Sequence, residues 1–97
     1  MRTIYKYPVP ITDRFTVSLP GAFKVLHVEV QDGMSFMWVE VDPEMPEAEH
    51  DFAVVGTGHP VPTAHSDAVG GPVICAEHLK TWQAPPFVWH LYRVFPL

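Results

Sequence analysis

Phe23-Lys24-Val25-Leu26-His27-Val28-Glu29-Val30-Gln31-Asp32-Gly33-Met34-Ser35-Phe36-Met37-Trp38-Val39-Glu40-Val41 is the stretch that decides the fold class. Its first part alternates, with Leu26, Val28 and Val30 set against His27 and Glu29, which is the period of a strand. Asp32-Gly33 then supplies two residues that tolerate positive φ in a tight hairpin turn. The returning segment, Met34–Val41, sets Met37, Val39 and Val41 against Phe36, Trp38 and Glu40. Both of its faces carry large apolar groups, which predicts a strand partly covered on each side.

The same pattern extends outward. Arg14–Leu19 alternates Phe15, Val17 and Leu19 with Arg14, Thr16 and Ser18. Thr3–Tyr7, Asp51–Thr57 and Phe87–Phe95 are further strand candidates, rich in β-branched and aromatic residues. Eleven prolines cut the chain into pieces too short for long helices. Ala76–Gln83 fits two readings: Leu79 and Trp82 have helical spacing, but the segment also suits a strand pairing with Phe87–Phe95 across Ala84-Pro85-Pro86. Asp42–His50, acidic and proline-containing, reads as a solvated loop. The expectation is a single domain over residues 1–97, all-β (or a β-rich α+β), built as a compact antiparallel sheet or sandwich of about six to seven short strands.

Composition bounds the function. The 97 residues are 47% hydrophobic and 18% charged, enough apolar mass for one modest core. No apolar run approaches the ~20 residues of a membrane-spanning helix. Met1–Lys6 lacks the apolar core of a signal peptide, so a soluble, intracellular protein with no membrane partner is expected. A net charge of −5 argues against direct nucleic-acid binding, which depends on a basic face. The six basic residues, Arg2, Lys6, Arg14, Lys24, Lys80 and Arg93, are scattered. Six histidines, fully protonated, would move that charge to about +1. Cys75 is the lone cysteine and allows no intrachain disulfide and no cysteine-based zinc site. Its apolar surroundings, Pro72-Val73-Ile74-Cys75-Ala76, predict a buried, inert thiol.

Four segments carry possible chemistry. In Val55-Gly56-Thr57-Gly58-His59-Pro60 the glycines let backbone N–H groups approach an anion, Thr57 adds a hydroxyl and His59 can donate or titrate. A plain strand-ending turn accounts for the same glycines. The segment is neither a dinucleotide fingerprint nor a Walker loop, because Val61 replaces the last glycine and no Lys-Ser/Thr follows. Tyr5-Lys6-Tyr7 sets two aromatics against a cation, suited to a base and a phosphate or to ordinary core packing. Trp89-His90-Leu91-Tyr92-Arg93 offers His90, Tyr92 and Arg93 to a pocket, with a satisfied core histidine as the plainer role of His90. Glu40, Asp42, Glu44, Glu47, Glu49 and Asp51 gather acids into one segment, either a solvated loop or a negative docking surface.

Metal and nucleophile readings are weaker. His59, His65, Asp67, His78 and His90 match no ligand spacing for zinc, and no metal or other cofactor is expected. Ser18, Ser35 and Ser66 lack a nucleophile elbow, and His65-Ser66-Asp67 are adjacent residues whose side chains diverge, so no catalytic residue is assigned.

Ile-Tyr-Lys-Tyr-Pro-Val-Pro-Ile (4–11), Val-Asp-Pro (41–43), Val-Gly-Thr-Gly-His-Pro (55–60) and Val-Trp-His-Leu-Tyr (88–92) together resemble a family of roughly hundred-residue proteins of tailed phages and prophages that carry no assigned function. Thr63–Cys75 departs from it and looks like an insertion. The resemblance implies a small phage protein acting in the cytoplasm of an infected bacterium, and it transfers no catalytic residues.

The expected function is therefore binding without catalysis: a homo-oligomer that sequesters a small phosphate-containing, nucleotide-like ligand in counter-defence. Its contacts would be Gly56, Thr57, Gly58, His59, Tyr5, Lys6, Tyr7, His90, Tyr92 and Arg93. The alternative is an inhibitor of a host defence protein, resembling an anti-CRISPR or a nucleic-acid mimic, with Glu44, Glu47 and Glu49 facing a basic surface and Trp38 or Trp82 as anchors. An accessory virion protein is the third reading.

Overall fold

Asp32 and Gly33 both adopt positive φ, 52° and 79°, in the computed structural model, which describes residues 1–65 and 71–97. Their turn joins β3 (Phe23–Gln31) to β4 (Met34–Val41) in antiparallel register, with Gln31 opposite Met34. The edge strand β1 (Thr3–Pro8) pairs with the other side of β4, so the first sheet runs β1-β4-β3. The second sheet runs β2-β5-β7-β6, from β2 (Arg14–Pro20), β5 (Glu47–Gly56), β7 (Phe87–Pro96) and β6 (Val73–Ala84). All pairings are antiparallel. The protein is all-β, with no helix among the described residues.

The two sheets bury their facing sides against each other. Met37, Val39 and Val41 of β4, Leu19 of β2, Phe52 of β5 and Leu91 of β7 are fully buried in one core. Trp82 of β6 is 4% exposed and donates its indole N–H to Ser35 Oγ of β4 at 3.0 Å. A polar bond inside an apolar core pins one lateral alignment of the sheets, because any slide leaves a buried donor unpaired. A smaller cluster of Ala53, Val73 and Val94 lies apart from this core. There Arg14 Nη2 donates to the Gly71 carbonyl at 2.6 Å and Val73 N to the Thr63 carbonyl at 3.1 Å.

Four details differ from the sequence reading. A register shift between Val25 and His27 makes Leu26 the extra residue, so Val25 and Val28 enter the core and Leu26 is only half-buried. Glu47–His50 is strand rather than loop, since pairing with β2 satisfies its backbone while Glu47 and Glu49 remain exposed. Ala76–Gln83 belongs to a strand, as its backbone pairs residue by residue with β7. Cys75 is exposed, because β6 is an edge strand and its register shifts between Val73 and Cys75. The apolar sequence around Cys75 predicted burial, and Ile74, 64% exposed, shares the same outward placement.

Removing the hydroxyl at the sheet-to-sheet bond isolates its energetic role. Ser35→Ala leaves the buried Trp82 N–H without its partner and is expected to cost about 1–3 kcal/mol, read as a lower urea midpoint with an unchanged m-value. Leu91→Ala, which opens a cavity at a fully buried site, is expected to cost about 2–5 kcal/mol.

Candidate functional site

Gly56 ends β5 at a close approach of three groups. A methyl group added there would lie 3.0 Å from His59 Nδ1 and 3.2 Å from Trp89 Cζ3, so any side chain here would push the imidazole and the indole back from this backbone by a few tenths of an ångström. Gly58, at φ +90°, reverses the chain, and His59 N donates to the Gly56 carbonyl at 3.0 Å. The turn thus folds His59 back beside Trp89. A cavity of about 400 Å³ opens at this point, bordered by Thr12, Asp13, Gly56, His59 and Trp89. A second, of about 720 Å³, also borders Trp89 and lies among Pro8, Ile11, Met34, Pro85 and Phe87. Both volumes fall within the range of small-molecule sites.

Both cavities sit where four connections meet. They are the β1–β2 loop, the β3–β4 turn, the β6–β7 turn and the segment after β5. Ile11, Met34 and Phe87 are 48%, 57% and 57% exposed there, so this end of the sandwich presents apolar groups to solvent. Phe87 and Trp89 lie with ring centroids 5.4 Å apart, tilted by 33°. The sequence reading found the glycine turn but missed Thr12, Asp13, Phe87 and Trp89 as its neighbours. Proline and aromatic enrichment on both sides of the tips was the available signal.

Thr57, next to Gly56, faces elsewhere. Its Oγ1 is 2.8 Å from His90 Nε2, His90 Nδ1 is 2.8 Å from Thr81 Oγ1, and Thr81 Oγ1 is 2.9 Å from His78 Nε2. Each hydroxyl has one proton and each neutral imidazole one donor, so the chain can run in either direction with every link satisfied. His90 is therefore a half-buried, hydrogen-bonded histidine on the sheet surface rather than a core residue. Tyr92 stands beside it and meets His78 edge to face at 5.3 Å.

The remaining expected ligand contacts are dispersed. Lys6 donates to Gln31 Oε1 at 2.7 Å and lies 4.1 Å from the Phe36 ring centroid, beside Trp38. Tyr7 packs on the core, and burial raises its phenol pKa, with Glu47 and Tyr5 adding to the shift. Tyr5, 44% exposed, meets the Tyr7 ring edge to face at 6.4 Å. Arg93 lies at the far end of β7, between the rings of Phe23 and Phe95, with its Nη2 donating to His50 Nδ1 at 3.2 Å. Neither Lys6 nor Arg93 borders the two cavities, so one subunit does not gather these cations and the glycine turn into a single phosphate site.

The acidic segment is likewise divided. Asp42 and Glu44 lie 3.8 and 3.7 Å from the terminal amine, Arg2 pairs with Glu40 at 2.7 Å, and Ser18 donates to Glu47 at 3.0 Å. Trp82 is inside the core and is not a surface anchor. Trp38, half-buried, lies beside His27 at a centroid distance of 6.0 Å. No group of three or more His, Cys, Asp or Glu among the described residues could hold a metal ion. Ser66 and Asp67 lie outside the described residues, as does the middle of the Thr63–Cys75 segment.

Fold and cleft together define a small antiparallel β-sandwich with an aromatic, proline-lined cleft at one end. The chain belongs to a family described as Domain of unknown function (DUF7352), whose model matches residues 1–96. No curated protein and no solved structure matches it.

Two outcomes follow from these contacts. Burial holds the His50 imidazole below the usual histidine range, the Arg93 guanidinium adds to this, and the Leu19 backbone and Asp51 oppose it to a smaller extent. The folded state thus binds this proton less readily than the unfolded chain, whose histidine titrates near 6.5. His50 is expected to titrate below that value by NMR, and its contribution to stability should be lost as pH falls from about 6.5 to the His50 midpoint. Thr81→Val, which removes the hydroxyl shared by His78 and His90, is expected to cost about 0.5–1.5 kcal/mol in chemical denaturation.

Proposed function

We propose that the protein acts by binding, without catalysis, and captures a small flat ligand in the cleft beside His59 and Trp89. The observation that carries this reading is Gly56. A turn that merely ended a strand would not need a glycine closed over by an imidazole and an indole at the mouth of a cavity. The adjoining apolar space gives such a ligand room, and Trp89 gives it a surface to lie against.

The resemblance to small tailed-phage proteins supports a counter-defence role, with a nucleobase-bearing signal of host immunity as the captured molecule. Self-association is part of the proposal. Among the described residues β1 and β2 each pair on one side only, and Ile4 and Tyr5 are exposed on β1. The inhibitor reading has less behind it, since Trp82 is unavailable as an anchor and several of the acids have partners within the chain.

Native mass spectrometry of the protein purified from cells, with no ligand added, tests the proposal. The expected result is an oligomer carrying a reproducible extra mass, with that mass lost in Gly56→Ala and His59→Ala while circular dichroism and assembly are unchanged. A bare protein that gains mass only in complex with a host protein would overturn it.

A further inference from the structure

Two polar side chains at the smaller cavity, Thr12 and Asp13, offer only acceptors to it. Thr12 Oγ1 donates its proton to the Arg14 carbonyl at 3.0 Å, so towards the cavity this oxygen can only accept. Asp13 borders the same cavity, is exposed, and forms no ion pair with any described residue. An ionised carboxylate accepts only. His59 can do either. The mouth is therefore rich in acceptors and carries one negative charge.

The positive charges lie elsewhere. Arg2 is held by Glu40, Lys6 by Gln31 and the Phe36 face, Arg14 by the Gly71 carbonyl and Arg93 by His50. Lys24 stands opposite Glu40 at the other end of β3, and Lys80 stands opposite Leu91. Among the described residues, no lysine or arginine borders either cavity. A phosphate seated here would meet Asp13 with no cation to offset the repulsion or its own desolvation.

We infer that the cleft takes a flat heteroaromatic ring that is cationic or bears N–H donors, seated against Trp89 with Asp13 and Thr12 accepting from its edge, and that any phosphate group on the ligand stays outside the cleft. This rests on the reading of the cleft as a binding site and assigns its ligand chemistry. The two cavities share Ile11 and Trp89, so the ring can lie against the indole while an apolar extension runs between Met34 and Phe87.

Two flat probes of opposite charge decide it: proflavine, a cationic diaminoacridine, and 1-anilinonaphthalene-8-sulfonate. Amide shifts in a ¹⁵N-labelled sample locate each probe, and fluorescence titration gives its affinity. Proflavine is expected to shift Thr12, Asp13, Gly56, His59 and the Trp89 indole N–H, and to bind about tenfold more tightly than the sulfonate at low salt. Asp13→Asn should remove most of that preference, whereas Glu77→Gln, an equal change in net charge at an exposed site away from the cleft, should leave it intact. Sulfonate binding at Trp89 as tightly as proflavine would overturn the charge assignment and leave the cleft standing as a site. A preference that falls equally with Glu77→Gln would overturn it as well. Binding of neither probe near Trp89 would overturn the cleft reading itself.

Discussion

Trp82 reaches from the four-stranded sheet to Ser35 of the three-stranded one, and the placement of the surrounding structure depends on that contact. Apolar packing between sheets is non-directional and tolerates small displacements. A buried N–H does not, because losing its acceptor costs about 1–3 kcal/mol. Ser35 lies just past the Asp32-Gly33 turn, and Trp82 lies just before the β6–β7 turn, so the bond fixes the relative height of two chain reversals. The larger cavity lies between those reversals.

Seen from this constraint, the cleft is a consequence of how the sandwich ends. Four connections meet there, and several of their residues are prolines or glycines with little side chain to fill the space. The aromatic rings of Phe87 and Trp89 line that space without closing it. The Gly56–His59 turn borders the smaller cavity, which the same indole also lines. Rigid sheets thus present loops at fixed separation, a common way for a small β domain to make a binding site.

The polar residues outside the cleft are committed to one another. Lys6 covers Phe36, Arg93 is held between Phe23 and Phe95 by His50, and the His78–Thr81–His90–Thr57 chain ties β6, β7 and the turn after β5 together at the sheet surface. The Lys6 and Arg93 arrangements place a polar side chain over apolar surface while it keeps a hydrogen bond, though the buried His50 Nε2 has no partner. Residues that read as one binding set along the chain are therefore distributed over separate faces of the fold.

Periodicity alone determined the strands whose faces differ in polarity. Phe15, Val17 and Leu19 of β2 and Met37, Val39 and Val41 of β4 point to the core as their alternation requires, and Asp32-Gly33 makes the turn its chemistry favours. What periodicity could not reveal was a register shift, since one extra residue exchanges the faces without altering composition; Leu26 and the exposure of Cys75 both follow from such shifts. Ala76–Gln83 was open to a helix because two apolar residues three apart satisfy both periods, and only pairing with β7 selected the strand. The glycine turn stood out in the sequence, but its partners did not. Trp89, Thr12 and Asp13 lie tens of residues from Gly56 along the chain, and only the packing of two sheets brings them to one opening.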